Sequence, residues 1–169
     1  MASQEGARLA QKIRQRVKEI ENLCEGLDEA TVSRAPEGRW SPKMILSHLC
    51  GPEDVGLISA LQLILQQDTP QINLDPGNPH FSGKRSKMTL AELLIELKGK
   101  YERIADLVAG LSDEQLARRA YVPDLKETPL GEYLTMGVFV GALVEDHMGY
   151  HRNHLSEILQ ALGVNSSKR

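Results

Sequence analysis

Five histidines carry the clearest chemical signal in this 169-residue chain: His48, His80, His147, His151 and His154. Three of them fall inside residues 147–154. His147 and His151 are four apart, so on a helix they stack on one face. Neutral imidazoles bind first-row divalent metals, and three of them leave a position for water or substrate. The pair lacks the glutamate of a metalloprotease HExxH motif, because position 148 is methionine.

These side chains need helices to hold them. Thr128-Pro129 reads as a cap and first-turn proline, which predicts a final helix over 129–162. Leu134, Phe139, Val144, Met148, Leu155, Ile158 and Leu162 form its apolar side, with Gly163 and Asn165 as a stop. By helical arithmetic His151 lies near the centre of that stripe. His147 lies about 40° to one side, and His154 about 60° away at the rim. His48 belongs to a second helix, predicted over 41–67, with Ser41 as cap, Pro42 at the first position and a Trp40–Ile45 staple. Gly51-Pro52 predicts a kink near Cys50; Ile45, Pro52 and Val55 flank His48, and Ile58 and Leu65 carry the apolar face onward. Three imidazoles on two helices can therefore converge at one end of a bundle, although His151 and His154 form a rival i,i+3 pair.

Two more helices complete the set. Leu9, Ile13, Val17, Ile20 and Leu23 make one stripe over 5–25, and Thr89-Leu90-Ala91-Glu92 is a capping box that opens a helix over 89–110. Short helical pieces are expected within 27–38 and after Ser112, and a plain connection over 121–127. Residues 68–87, rich in proline and glycine, read as a long loop. Four amphipathic helices in one 1–169 domain predict an all-α, antiparallel four-helix bundle with a long loop between helices 2 and 3. That loop is long enough for a crossover.

Composition excludes several function classes. Lys plus Arg number 20 against 23 Asp plus Glu, a net charge of −3, so no basic footprint predicts nucleic acid as a partner. No apolar run suits a membrane span or a signal core. Only Cys24 and Cys50 are present, which favours a reducing, cytoplasmic setting over a disulfide scaffold. Aromatic residues are 4%, so Leu, Ile, Val and Ala must build the core.

Gly38-Arg39-Trp40-Ser41-Pro42 followed by Ile45-Leu46-Ser47-His48-Leu49 resembles the G-x-W-S-x-x-x-x-L-x-H-L signature of DinB/YfiT-like proteins. His147-Met148-Gly149-Tyr150-His151-Arg152 resembles that family's H-x-x-Y-H-R element. The resemblance implies a four-helix bundle with a three-histidine divalent-metal site, and it matches His48, His147 and His151 to the ligands. It also implies a homodimer and relatives that are thiol-dependent S-transferases and isomerases, and the expected activity is that of a metal-dependent thiol S-transferase or hydrolase acting on a small electrophile. Zn, Ni and Fe all suit imidazole, and a low-molecular-weight thiol is the implied co-substrate. His154 is then the catalytic candidate, as a proton-transfer or supporting group. The rival expectation is a non-catalytic, stress-associated bundle that binds a metal or a small molecule. Glu53, Asp54, Glu145 and Asp146 are expected on solvated faces, Tyr150 as a packing residue, Trp40 as the staple and His80 on the surface. Neither cysteine has an adjacent base that would mark a nucleophile.

Overall fold

A computed structural model describes residues 1–54 and 56–164. Val55 and Asn165, named above as a face residue and a stop, and the tail 166–169, expected from its sequence to fray, lie outside the described residues. The first helix, α1, spans Gln4–Cys24, with the Ser3 hydroxyl accepting from the Gly6 N–H. A five-residue turn, α2, covers Glu29–Ser33. Helix α6, Leu90–Ala109, opens with the expected capping box between Thr89 and Glu92. These helices bury Leu9, Ile13 and Ile20 together with Leu97, Ile104 and Val108 in the shared core.

The second helix differs from its expectation. It is two helices, α3 (Pro42–Cys50) and α4 (Leu57–Gln66), with a break between them. Pro52 has no N–H to continue the ladder, and Gly51 takes a left-handed φ of 70° and closes α3 by donating to the carbonyls of Ser47 and His48. The long loop does separate helices 2 and 3. It also contains one short turn, α5 (Gly83–Lys87), capped by Ser82.

The last helix also starts later than Thr128. The short helix α7 (Asp113–Leu116) leads to strand β1 (Arg119–Tyr121), a 3-10 turn over Pro123–Leu125 and strand β2 (Tyr133–Thr135). The two strands pair antiparallel, Ala120 opposite Leu134. Thr128-Pro129 therefore sits in the connection of this hairpin: the Thr128 hydroxyl donates to the Leu125 carbonyl, and Gly131 turns the chain at φ 70°. The true cap is Thr135, which opens α8 (Met136–Ala142). A π-helical segment, Leu143–Met148, joins α8 to α9 (Gly149–Ala161).

Side-chain pairs give the directions. Arg14 meets Glu102 and Asp106 at 2.7 Å, and Lys98 reaches Glu21 at 3.5 Å, so α1 and α6 are antiparallel. Lys12 and Arg16 pair with Glu145, and Arg152 pairs with Glu19, so α1 and the last helix run the same way. Tyr101 donates its hydroxyl to the Leu49 carbonyl at 2.9 Å, while Lys43 at the other end of α3 reaches Glu29, which accepts the Leu90 N–H. Thus α3 and α6 run together, and α3 opposes the last helix, where Arg39 meets Glu157. The helices run up, down, down, up, and the long loop is the crossover that this order requires.

Candidate metal centre

Helix α3 presents His48 from its last turn, and the π segment and α9 present His147 and His151 from the opposing helix. The potential ligand atoms of these three side chains all lie within 4.8 Å of one another. His48 Nε2 is 3.0 Å from His147 Nε2, and the ring centroids of His48 and His151 are 4.4 Å apart. His48 and His151 are buried, at 6% and 5% exposure.

The tautomer of His48 is set from outside the bundle. Its Nδ1 lies 2.7 Å from the Asn78 carbonyl. A carbonyl only accepts, so Nδ1 carries the proton and Nε2 faces the other imidazoles as a lone pair. Two lone pairs do not sit 3.0 Å apart unaided. Without a cation, His147 must donate its Nε2 proton to His48, and its buried Nδ1 then has no hydrogen-bond partner. A divalent ion held by these rings would resolve this contact: metal–nitrogen bonds of about 2.0–2.1 Å at a tetrahedral angle separate neighbouring nitrogens by about 3.3 Å. The donor set of three imidazoles suits Zn, Ni or Fe.

Burial disfavours charge on these rings. The His147 pKa is pushed down to about 4, first by burial and then by the neighbouring His48. That of His151 falls to about 3, by burial foremost, with His147, His48 and His154 adding repulsion. Both are neutral at pH 7, the form that ligates metal. His154 is half-buried, its Nδ1 3.4 Å from His151 Nδ1, and its pKa is lowered mainly by burial, then by Arg39, with Glu157 opposing. The rival pair of His151 and His154 is therefore adjacent, but His154 lies behind His151, outside the three-nitrogen cluster.

Several surroundings differ from expectation. Trp40, expected as a staple, packs against the core, and its ring also stacks parallel to His151 at 6.2 Å and lies 5.2 Å from His48 and 5.9 Å from His154. His80 is half-buried rather than on the surface and stacks on His48 at 6.3 Å. Its φ of 49° is unusual for a side chain with a Cβ. Tyr150 is 64% exposed and stands edge-on to His151 rather than packing in the core. Glu53 is exposed, as expected, and accepts from the Ser82 hydroxyl of the long loop. Asp146 is exposed, as expected, and Glu145 pairs with Lys12 and Arg16 on the outer face. Cys24 and Cys50 are buried and not joined in a disulfide, and burial pushes the Cys50 thiol up to about 12, which makes it a poor nucleophile.

Arg85 went unnoticed in the sequence. Its side chain is fully buried, and it donates to the carbonyls of Ser47, Gly51 and His80 and to the carboxylate of Glu96. The cluster opens onto a cleft of about 1620 Å³, lined on its apolar side by Leu57, Ile58, Leu63, Phe139 and Leu143. Such a site can hold a cation with an accessible face beside an apolar wall.

Among the described residues, no helix is long and apolar enough to cross a membrane. Comparison with curated proteins finds no match. Among solved structures, the chain is similar to YfiT from Bacillus subtilis, described as a probable metal-dependent hydrolase with an unusual four-helix bundle topology. The TM-score is 0.76 at 20% identity, over 98% of this chain and 92% of that one, a likeness of fold. The model of the DinB superfamily matches residues 12–155, and with most of the chain so covered, the protein belongs to the DinB superfamily.

Proposed function

We propose that this chain is a divalent-metal-dependent enzyme that hydrolyses a small electrophilic molecule, with His48, His147 and His151 as the ligands. The observation that carries the reading is the convergence of three imidazoles on an open cleft, one of them with its ligating nitrogen freed by the Asn78 carbonyl. An open cleft weighs against the non-catalytic alternative, for which a sealed ion would suffice. YfiT's description as a probable metal-dependent hydrolase supports the same class.

When bound, a divalent ion supplies Lewis acidity and lowers the pKa of water or of a thiol. The chain supplies the geometry. His154 accepts the Nδ1 proton of His151 and so turns His151 Nε2 towards the other two ligands, the supporting role usual beside a metal-bound imidazole. Trp40 sets its ring against His48, His151 and His154 at the wall of the cleft, which Asp146 and Tyr150 also line. The apolar wall takes the body of the substrate. Thiol transfer is the second reading. A volume of about 1620 Å³ exceeds the roughly 300–1,000 Å³ of an ordinary small-molecule pocket, which leaves room for a low-molecular-weight thiol beside the electrophile. A homodimer and a cytoplasmic setting complete the proposal; two buried cysteines outside any disulfide fit a reducing compartment.

The test begins with elemental analysis of protein purified without a metal-binding tag. Loaded protein is then assayed against ester, epoxide and maleyl-type electrophiles, with and without cellular thiols. Turnover in water alone that is lost in His48→Ala supports hydrolysis, and strictly thiol-dependent turnover supports transfer. Full metal occupancy with neither activity would replace both by the binding protein, and no metal uptake at micromolar concentration would remove the metal site.

A further inference from the structure

A buried arginine in a loop of prolines and glycines needs a reason. The side chain of Arg85 is fully buried, and its guanidinium is the hub of the crossover. Nη1 donates to the Ser47 carbonyl at 3.1 Å, to the Gly51 carbonyl and to the His80 carbonyl at 3.2 Å, and Nη2 donates to Glu96 at 2.9 Å. The Ser47 hydroxyl donates to the same His80 carbonyl at 2.8 Å. His80 in turn holds the left-handed φ and donates its N–H to the Asn78 side-chain oxygen at 2.8 Å. One residue pair thus carries both ends of the arrangement: the Asn78 carbonyl takes the His48 Nδ1 proton, and the Asn78 side chain is tied through His80 to Arg85 and Ser47.

We propose that Arg85 is a positioning residue for the metal centre: by clamping the His80 carbonyl to the C-terminal end of α3, it holds the Asn78 carbonyl against His48 and keeps His48 in the tautomer whose Nε2 is free to ligate. The inference rests on the reading of His48 as a ligand. Lysine cannot replace the arginine, because a single ammonium cannot span the carbonyls of α3, the loop carbonyl and Glu96 together. A merely structural role would cost stability and leave the His48 proton where it is.

The decisive measurement compares wild type with Arg85→Lys. Long-range proton–nitrogen correlation of the imidazoles in metal-free protein reads the tautomer of His48, and titration with Ni²⁺, followed through Trp40 fluorescence, reads affinity. The expected result for Arg85→Lys is a mixed His48 tautomer and a Ni²⁺ affinity weakened by about 10- to 100-fold, the usual scale for losing an outer support of a ligand. A folded Arg85→Lys protein with an unchanged His48 tautomer and unchanged affinity overturns the proposal. Should Arg85→Lys fail to fold, Ser47→Ala decides, since it removes the second donor to the His80 carbonyl and opens no large cavity: the same two changes, smaller in size, support the clamp, and wild-type behaviour in both readouts overturns it. Wild-type protein that binds no Ni²⁺ refutes the metal reading itself, and the tautomer comparison then still decides whether Arg85 orients His48.

Discussion

Acidification should unfold the metal-free protein over a window set by its histidines. Burial holds the His147 pKa at about 4, below the ordinary imidazole value of 6.5. Between those two values the unfolded chain binds a proton that the folded chain refuses, so stability is full above about pH 6.5 and declines as pH falls towards about 4. A displacement of this size corresponds to about 3 kcal/mol, of which about 2 kcal/mol is lost by about pH 5. His151 is depressed in the same direction and deepens the effect. The lowered carboxylates Glu5, Asp28, Glu29, Glu96 and Glu145 have reference values of 3.8 or 4.5, so their losses set in only at the acidic end of this window, below about pH 5. The assay is urea unfolding in the presence of a chelator at about pH 7 and about pH 5, followed by circular dichroism, with His147→Gln alongside. Glutamine has no proton to take up, so the variant should lose much of the pH dependence. Equal stability of the wild type at both values, or an undiminished slope in His147→Gln, would refute the reasoning.

Other expectations follow from the same contacts. Replacing His151 or His48 by alanine removes a nitrogen donor rather than its support, so Ni²⁺ affinity should fall by more than the roughly 10- to 100-fold of an outer contact, whereas His154→Ala should stay within that range; calorimetric titration separates the two. Gly6→Ala should destabilise the fold by about 1–3 kcal/mol, because the new Cβ would stand 2.5 Å from the Val108 carbonyl oxygen where α1 crosses the end of α6; a thermal melt measures it. Tyr101→Phe leaves the buried Leu49 carbonyl without its donor and should cost about 1–3 kcal/mol in the same assay. Light scattering across a concentration range should give the mass of a dimer, and a monomer at every concentration would reject that part of the proposal.

The sequence was most legible where local signals and long-range packing agreed. Helix α6 announces itself through Thr89 and Glu92 and an unbroken apolar stripe, and the structure repeats both. The three inward histidines were found because their direction depends only on helical periodicity close to each residue. The start of the last helix was misread for the opposite reason. Thr128-Pro129 is a good local cap, but strand β2 pairs with residues 119–121, and that distant partner decides where the helix begins. Trp40 had two compatible neighbours, Ile45 along the chain and the imidazoles across the bundle, and spacing sees only the first. Arg85 was invisible because its acceptors are loop and helix-end carbonyls, one of them on the Gly51 at which α3 breaks from α4.

The wide turn at Leu143–Met148 has a consequence for how the chain tolerates changes of length. In an α-helix each residue advances the face by about 100°, so losing one normally swings everything beyond it away from its partners. Removing the exposed Asn153 would do this to Leu155, Ile158 and Leu159, which are buried. A π segment already holds one residue more than an α-helix needs. Removing the exposed Asp146 would let the segment relax to ordinary pitch, with Met136 and Val140 still facing the core on one side and His151 and Leu155 on the other. The last helix thus carries one residue of slack, next to the histidine that depends on it.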